Sequence, residues 1–221
     1  MAQMTGSQLT IKQLQREGID TIYVLQGDPV GSLSTDAVKM GMRVIPVRHE
    51  QTATMAASAH SYLTRTCGVA IVASGPAHTN ALTGVANAWS NCWPVLLIAG
   101  SGESKRRYMG EFQEGRQVES SEPFCKFAYS VEDTSRIPVM ISTAVRMAMS
   151  GRPGPGYLDY PADIITNEVE EDEIHFPEPF GSPARPQANS EQVREALQVL
   201  QGAERPLMIV GKGAAFSGAE E

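Results

Sequence analysis

Two runs of this chain, GVAIVA at 68–73 and PVLLIAG at 94–100, are apolar at nearly every position rather than at every second one. A strand with one wet face alternates, whereas a strand apolar on both faces must be covered on both. Shorter runs of the same kind lie at 20–27 (DTIYVLQG), 43–47 (RVIPV) and 157–161 (YLDYP). Amphipathic or Ala-rich stretches separate them. The spacing predicts helices over 7–17, 30–40 and 50–63, another from the end of SGPAHTN (74–80) to about 90, and one over 138–149 with a proline in its first turn. Strands and helices that alternate in this way build a parallel sheet with helices on both faces. The expectation is an α/β fold, a doubly wound parallel sheet, over residues 1–167.

A change of composition follows. Residues 168–178, EVEEDEIHFPE, hold six carboxylates and no Lys or Arg, and prolines recur at 177, 179, 183 and 186. The segment 168–187 therefore reads as a solvated acidic, Pro-rich linker. Without those six carboxylates the net charge of −7 falls to −1, so the body is near neutral and offers no basic nucleic-acid surface. Residues 188–221 open something new: a capped helix, then the strand-like PLMIVG (206–211). This reads as the truncated start of a second α/β domain, so that the chain is expected to be a fragment or one part of a split protein. Cys67, Cys92 and Cys125 are isolated and show no metal-ligand spacing. That leads to the expectation of a reducing, cytoplasmic setting and no metal site in this chain. No stretch reaches the length of apolar residues that a membrane span needs.

In open α/β sheets ligands bind outside the carboxyl ends of the strands. Four such ends can be placed: Gly27-Asp28-Pro29, Arg48-His49-Glu50, Ser74-Gly75-Pro76 and Gly100-Ser101-Gly102. Glycines in three of them would let backbone approach a ligand closely. Glu50 stands at a helix start, where the helix dipole favours a negative charge. It is either the chemically important carboxylate or simply a good helix-start residue. Asp28 before Pro29 is ordinary turn chemistry. His49, His60 and His78 read as hydrogen-bonded or packed residues. MGEFQEGRQVE (109–119) is a long polar loop bearing Phe112, and is as easily a functional loop as a plain one. There is no P-loop, no nucleophile elbow, and GKGAAF (211–216) lacks the third glycine of a dinucleotide fingerprint.

Three stretches together carry a resemblance: RHEQ (48–51), SGPAHTN followed by NAW (87–89), and GRPGPGYLDYPADI (151–164). In order and spacing the chain resembles the N-terminal, pyrimidine-binding domain of thiamine-diphosphate-dependent enzymes. GEFQEGRQVE and FCKFAYSV (124–131) are similar to 2-hydroxyacyl-CoA lyase and oxalyl-CoA decarboxylase within that superfamily. PLMIVGKGAA (206–215) resembles the first strand of the central domain.

The resemblance implies that Glu50 hydrogen-bonds ring nitrogen N1′ of the thiamine diphosphate aminopyrimidine. It implies that Gly75, Pro76 and Asn80 shape the cofactor pocket and that Gln113 and Glu114 line the reaction chamber. Asp28, Pro29, Val30 and Phe112 would face the substrate, with Asp28 replacing an apolar residue of the lyases. Mg2+ and the diphosphate would be held outside this chain, in a C-terminal part of the enzyme, across a homodimer or homotetramer. The implied reaction is cleavage of a 2-hydroxyacyl-CoA to formyl-CoA and an aldehyde or ketone, or the reverse condensation. Oxalyl-CoA decarboxylation, acetolactate-synthase-like chemistry and a non-catalytic assembly module stand beside it.

Overall fold

The structure is a computed structural model that describes residues 3–181 and 187–219. It contains two units, Met1–Gly181 and Ser182–Glu221. In the first, chain order is β1 (Gln3–Thr5), α1 (Gly6–Arg16), β2 (Thr21–Leu25), α2 (Gly31–Lys39), β3 (Arg43–Pro46), α3 (Glu50–Thr64), β4 (Gly68–Val72), α4 (Pro76–Asn91) and β5 (Val95–Ser101). There follow α5 (Gln117–Ser121), β6 (Phe127–Ser130), α6 (Ile137–Met149), β7 (Gly156–Pro161), α7 (Ala162–Thr166) and β8 (Glu168–Glu170). Six strands form one parallel sheet in the order β3-β2-β4-β5-β7-β6.

The continuous apolar runs lie in the middle of that sheet because both of their faces are covered. Along β4, Val69 and Ile71 pack with Leu96, Ile98 and Leu158 beneath Ile and Leu side chains of α1, α2 and α6. Ala70 and Val72 face the other way, onto Ala53 and Ala57 of α3 and Ala77, Ala81 and Ala88 of α4. Burial of each large side chain contributes about 1.5–3 kcal/mol. The alanines on the second face contribute less but let α3 and α4 come close to the sheet and to each other.

The structure departs from the sequence reading at several points. Helix α4 begins inside SGPAHTN, at Pro76, because Gly75 takes φ +57° as N-cap and proline suits the first helical turn. The acidic run starts as β8, antiparallel to β1 with Met4 opposite Val169. Beyond it, Lys12 pairs with Glu171 and lies 4.5 Å over the Phe176 ring. The Phe180 N–H donates to Glu17 at 2.9 Å, and Ile174 and Phe176 pack on the core. Residues 168–181 therefore belong to the first unit rather than to a solvated linker. The basic face of α1 and two apolar residues within the acidic run account for this. Of the rest of the expected linker, 182–187, residues 182–186 with Pro183 and Pro186 lie outside the described residues.

In the second unit α8 (Ser190–Gln201) is capped by Asn189, whose side chain accepts from the N–H groups of Glu191 and Gln192. A short α9 (Lys212–Ser217) follows. The expected strand at 206–210 makes no ladder, and Leu207, Met208, Ile209 and Val210 are exposed. A strand forms only against a neighbour that pairs its backbone groups, and among the described residues none lies beside this run.

Candidate functional site

Glu50 opens α3 directly after β3, and the helix is capped by His49, whose Nδ1 accepts from the Gln51 N–H at 3.2 Å. The Glu50 carboxylate is half-buried, and its Oε2 accepts a hydrogen bond from Asn80 Nδ2 at 3.0 Å. One turn further along each helix, Thr54 of α3 meets Gly84 of α4. A Cβ on Gly84 would stand 1.9 Å from Thr54 Oγ1. Thr54 Oγ1 in turn donates to the Ala81 carbonyl at 3.1 Å. The contact that glycine permits thus sets the spacing at which Asn80 reaches Glu50. Nearby, the Asp28–Pro29 turn rests on the end of β5, where a Cβ on Gly100 would lie 2.3 Å from Pro29 Cδ. Asp28 is exposed and Pro29 half-buried. Val30, expected to face the substrate, has no exposed surface and packs in the core, so it supports Pro29 from behind. The glycines of these loops admit neighbouring loops of the protein.

A second polar cluster lies at the ends of β5, β6 and β7. Asp159, two residues before the end of β7, is 3% exposed. Its Oδ1 accepts from Gln117 Nε2 at 2.7 Å and Tyr157 OH at 3.1 Å. Its Oδ2 accepts from Ser101 Oγ at 3.0 Å, Ser130 Oγ at 2.9 Å and Arg107 Nη2 at 3.5 Å. Burial, and then the Asp159 charge, pushes the Tyr157 phenol well above its ordinary value of 10. His78 on α4 bonds Ser121 Oγ at 2.7 Å. The Ser121 hydroxyl spends its one hydrogen on the Gln117 carbonyl at 2.8 Å. His78 Nε2 must then be the donor, which fixes the tautomer and leaves buried Nδ1 bare. Burial pushes the His78 imidazole down to about 4.

The loop between β5 and α5 lies across the cluster. Gln113 takes a left-handed backbone, φ +57°, and its Oε1 accepts from Ser74 Oγ at 2.9 Å. Glu114 is bonded to the loop that carries it. Its carboxylate accepts from the backbone N–H groups of Tyr108, Gly110 (2.9 Å) and Glu111 (3.2 Å), and these bonds hold it below the usual carboxylate range. Bonded to its own loop in this way, Glu114 clamps the loop at the cleft it also lines. Phe112 is 71% exposed at the tip. A cleft of about 630 Å3 lies under the loop, lined by Arg107, Tyr108, Glu114, Tyr129 and Asp159, and includes neither Glu50 nor Asn80.

The model of the thiamine pyrophosphate enzyme N-terminal TPP binding domain family matches residues 4–120, more than half of the 221. The chain belongs to this family. 2-Hydroxyacyl-CoA lyase 1 of Homo sapiens is 40% identical over 219 residues, which cover 99% of this chain and 38% of that protein. 2-Hydroxyacyl-CoA lyase of Arabidopsis thaliana is 38% identical over 98% of this chain and 39% of its own length. Oxalyl-CoA decarboxylase of Escherichia coli (strain K12) is 36% identical over 99% of this chain and 40% of its own length. The chain thus spans about 38–40% of the length of these relatives.

The residues at the β3–α3 corner fit the cofactor of a TPP-binding domain. A carboxylate with one oxygen held by Asn80 keeps the other, Oε1, for a ring N–H donor, and among the described residues no protein group bonds that oxygen. Pro76 and Asn80 are exposed beside it and Gly75 is half-buried. Sequence reasoning named Glu50 and Asn80 without joining them, and missed Gly84 and Gln117. A glycine inside a helix was the available signal for Gly84. For Gln117 it was a carboxylate in mid-strand, which cannot be buried without donors.

Proposed function

We propose that this chain supplies the aminopyrimidine-binding half of the site of a thiamine-diphosphate-dependent carbon–carbon lyase. Its substrate would be a 2-hydroxyacyl-CoA, cleaved to formyl-CoA and an aldehyde or ketone, or formed from them in the reverse direction. The observation that carries this is Glu50 at the helix start with one carboxylate oxygen held by Asn80 and the other open. When bound, thiamine diphosphate supplies a carbon nucleophile and an electron sink at the substrate carbonyl. The chain's own task is narrower. Glu50 Oε1 holds a proton against the pyrimidine ring nitrogen, Asn80 fixes the carboxylate plane, and the start of α3 favours its charge. Gly75 and Pro76 shape the adjoining wall. Gln113, tied to Ser74, and the exposed ring of Phe112 stand at the rim where substrate would enter.

The names and identities of the relatives support the lyase reading, and the bacterial decarboxylase keeps oxalyl-CoA decarboxylation as the second. Mg2+ and the diphosphate would be bound by chain beyond these residues, in a homodimer or homotetramer. The setting would be cytoplasmic, with free thiols. Incubation of the intact protein with thiamine diphosphate, Mg2+ and a 2-hydroxyacyl-CoA tests the reading. Formyl-CoA with an equimolar aldehyde or ketone is expected. Formyl-CoA and carbon dioxide from oxalyl-CoA alone would move the assignment to the decarboxylase. No turnover of either would remove both.

A further inference from the structure

Gln117 is 4% exposed and joins two strands, β5 and β7, and a helix start through one amide. Its Oε1 accepts from the Gly75 N–H at 2.5 Å. Its Nε2 donates toward the Gly100 carbonyl at 3.0 Å, Tyr157 OH at 3.0 Å and Asp159 Oδ1 at 2.7 Å. The two ends of the amide cannot be exchanged: a backbone N–H only donates and a backbone carbonyl only accepts. No other side chain of this size satisfies the site. Glutamate would present a second carboxylate to Asp159 and no hydrogen to Gly100. Methionine would fill the volume and bond nothing.

Gly75 is the N-cap of α4 and has no side chain to cap with, so the Gln117 oxygen takes one of the hydrogens the helix start leaves free. Five residues on, the same helix presents Asn80 to Glu50. The Gly84–Thr54 contact fixes α4 against α3 in the third turn of α4, while the first turn is anchored through Gly75. We propose that Gln117 is a positioning residue for the Glu50 site: its buried amide locks the start of α4 to the ends of β5 and β7, so that Asn80 meets the Glu50 carboxylate. This rests on the reading of Glu50 as the carboxylate that meets the cofactor.

The test is a double-mutant cycle on thiamine diphosphate affinity, measured by titration of the intact protein without substrate. Gln117→Met and Asn80→Ala should each weaken binding about tenfold, the loss of one well-placed hydrogen bond. The double variant should be no more than about twofold weaker than the worse single one, because Gln117 acts through Asn80. A merely structural Gln117 would lower the melting temperature and leave cofactor affinity unchanged or the two losses additive, and either result overturns the proposal. Should Gln117→Met fail to fold, hydrogen exchange of the Gly75 amide in the unaltered apo protein decides. Strong protection supports the proposal, and exchange at the rate of an open loop overturns it. Glu50→Gln serves as the reference. Wild-type affinity there would remove the Glu50 reading and this proposal together, whereas weakened binding there with an additive cycle removes only this proposal.

Discussion

On one side of the sheet's carboxyl edge, Asp159 is buried and accepts five hydrogen bonds; on the other, Glu50 is half-buried and accepts one, from Asn80. Both carboxylates sit at or near a strand end of the same sheet. The difference is capacity. Asp159 has both oxygens satisfied by Gln117, Tyr157, Ser101, Ser130 and Arg107, so it can bind nothing further and acts as a knot between β5, β6 and β7. Glu50 keeps an oxygen free at the surface, where a ligand can reach it. Where Asp159 is saturated, the carboxylate at the strand–helix corner keeps an acceptor that a ligand can use.

The contrast can be broken at either end. Glu50→Gln should lower turnover by about 10²- to 10⁴-fold, the usual range for a proton-handling group, with an unchanged melting temperature. Asp159→Ala should act first on stability. It leaves buried donors without an acceptor and should cost about 3 kcal/mol of stability in urea unfolding. A similar loss of activity at unchanged stability would show that Asp159 had been placed on the wrong side of the comparison.

His78 sharpens the buried side through pH. It is neutral in the fold, with its imidazole pushed down to about 4, while in the unfolded chain it takes up a proton below about 6.5. Stability should therefore fall as pH drops from 6.5 to 4 and change no further from this group below 4, by about 3 kcal/mol in all. His78→Gln should flatten that slope in urea titrations across the same range. A smaller effect is expected at the helix contact that brings the exposed pair together. Gly84→Ala should cost about 1–2 kcal/mol by overpacking against Thr54, and should weaken cofactor binding because α4 is pushed from α3. The smallest is Glu114→Gln, which should leave the melting temperature alone and raise hydrogen exchange at Tyr108, Gly110 and Glu111. The carboxylate form makes those bonds, and the loop holds it below its ordinary 4.5. Their protection should thus be full above 4.5 and be lost as pH falls below it.

The parts of this fold that could be read in the sequence are those with local causes. β4 and β5 declare themselves because burial on both faces leaves an uninterrupted apolar run. β6 does not, since an edge strand of four residues with Tyr129 exposed carries too little pattern. β8 was hidden by the charges of Glu168 and Glu170 on either side of Val169, its one apolar residue. The site shows the same division. Glu50 was legible from a strand–helix junction and from the motifs around it. Gln117 was not, because its partners stand 17 to 42 residues away and no spacing along the chain announces them. The loop bonds of Glu114 were not legible either, because a carboxylate that binds its own loop's backbone has the same sequence as one that faces a substrate.

The most direct measurement is the nitrogen NMR signal of thiamine diphosphate labelled with 15N at N1′, bound to the intact protein and to its Glu50→Gln variant. A carboxyl group hydrogen-bonded to N1′ should shift that signal in the unaltered protein, and the shift should be lost in the variant. The same signal in both would mean that Glu50 does not meet the ring, and that the open carboxylate at this corner is only a well-placed helix start.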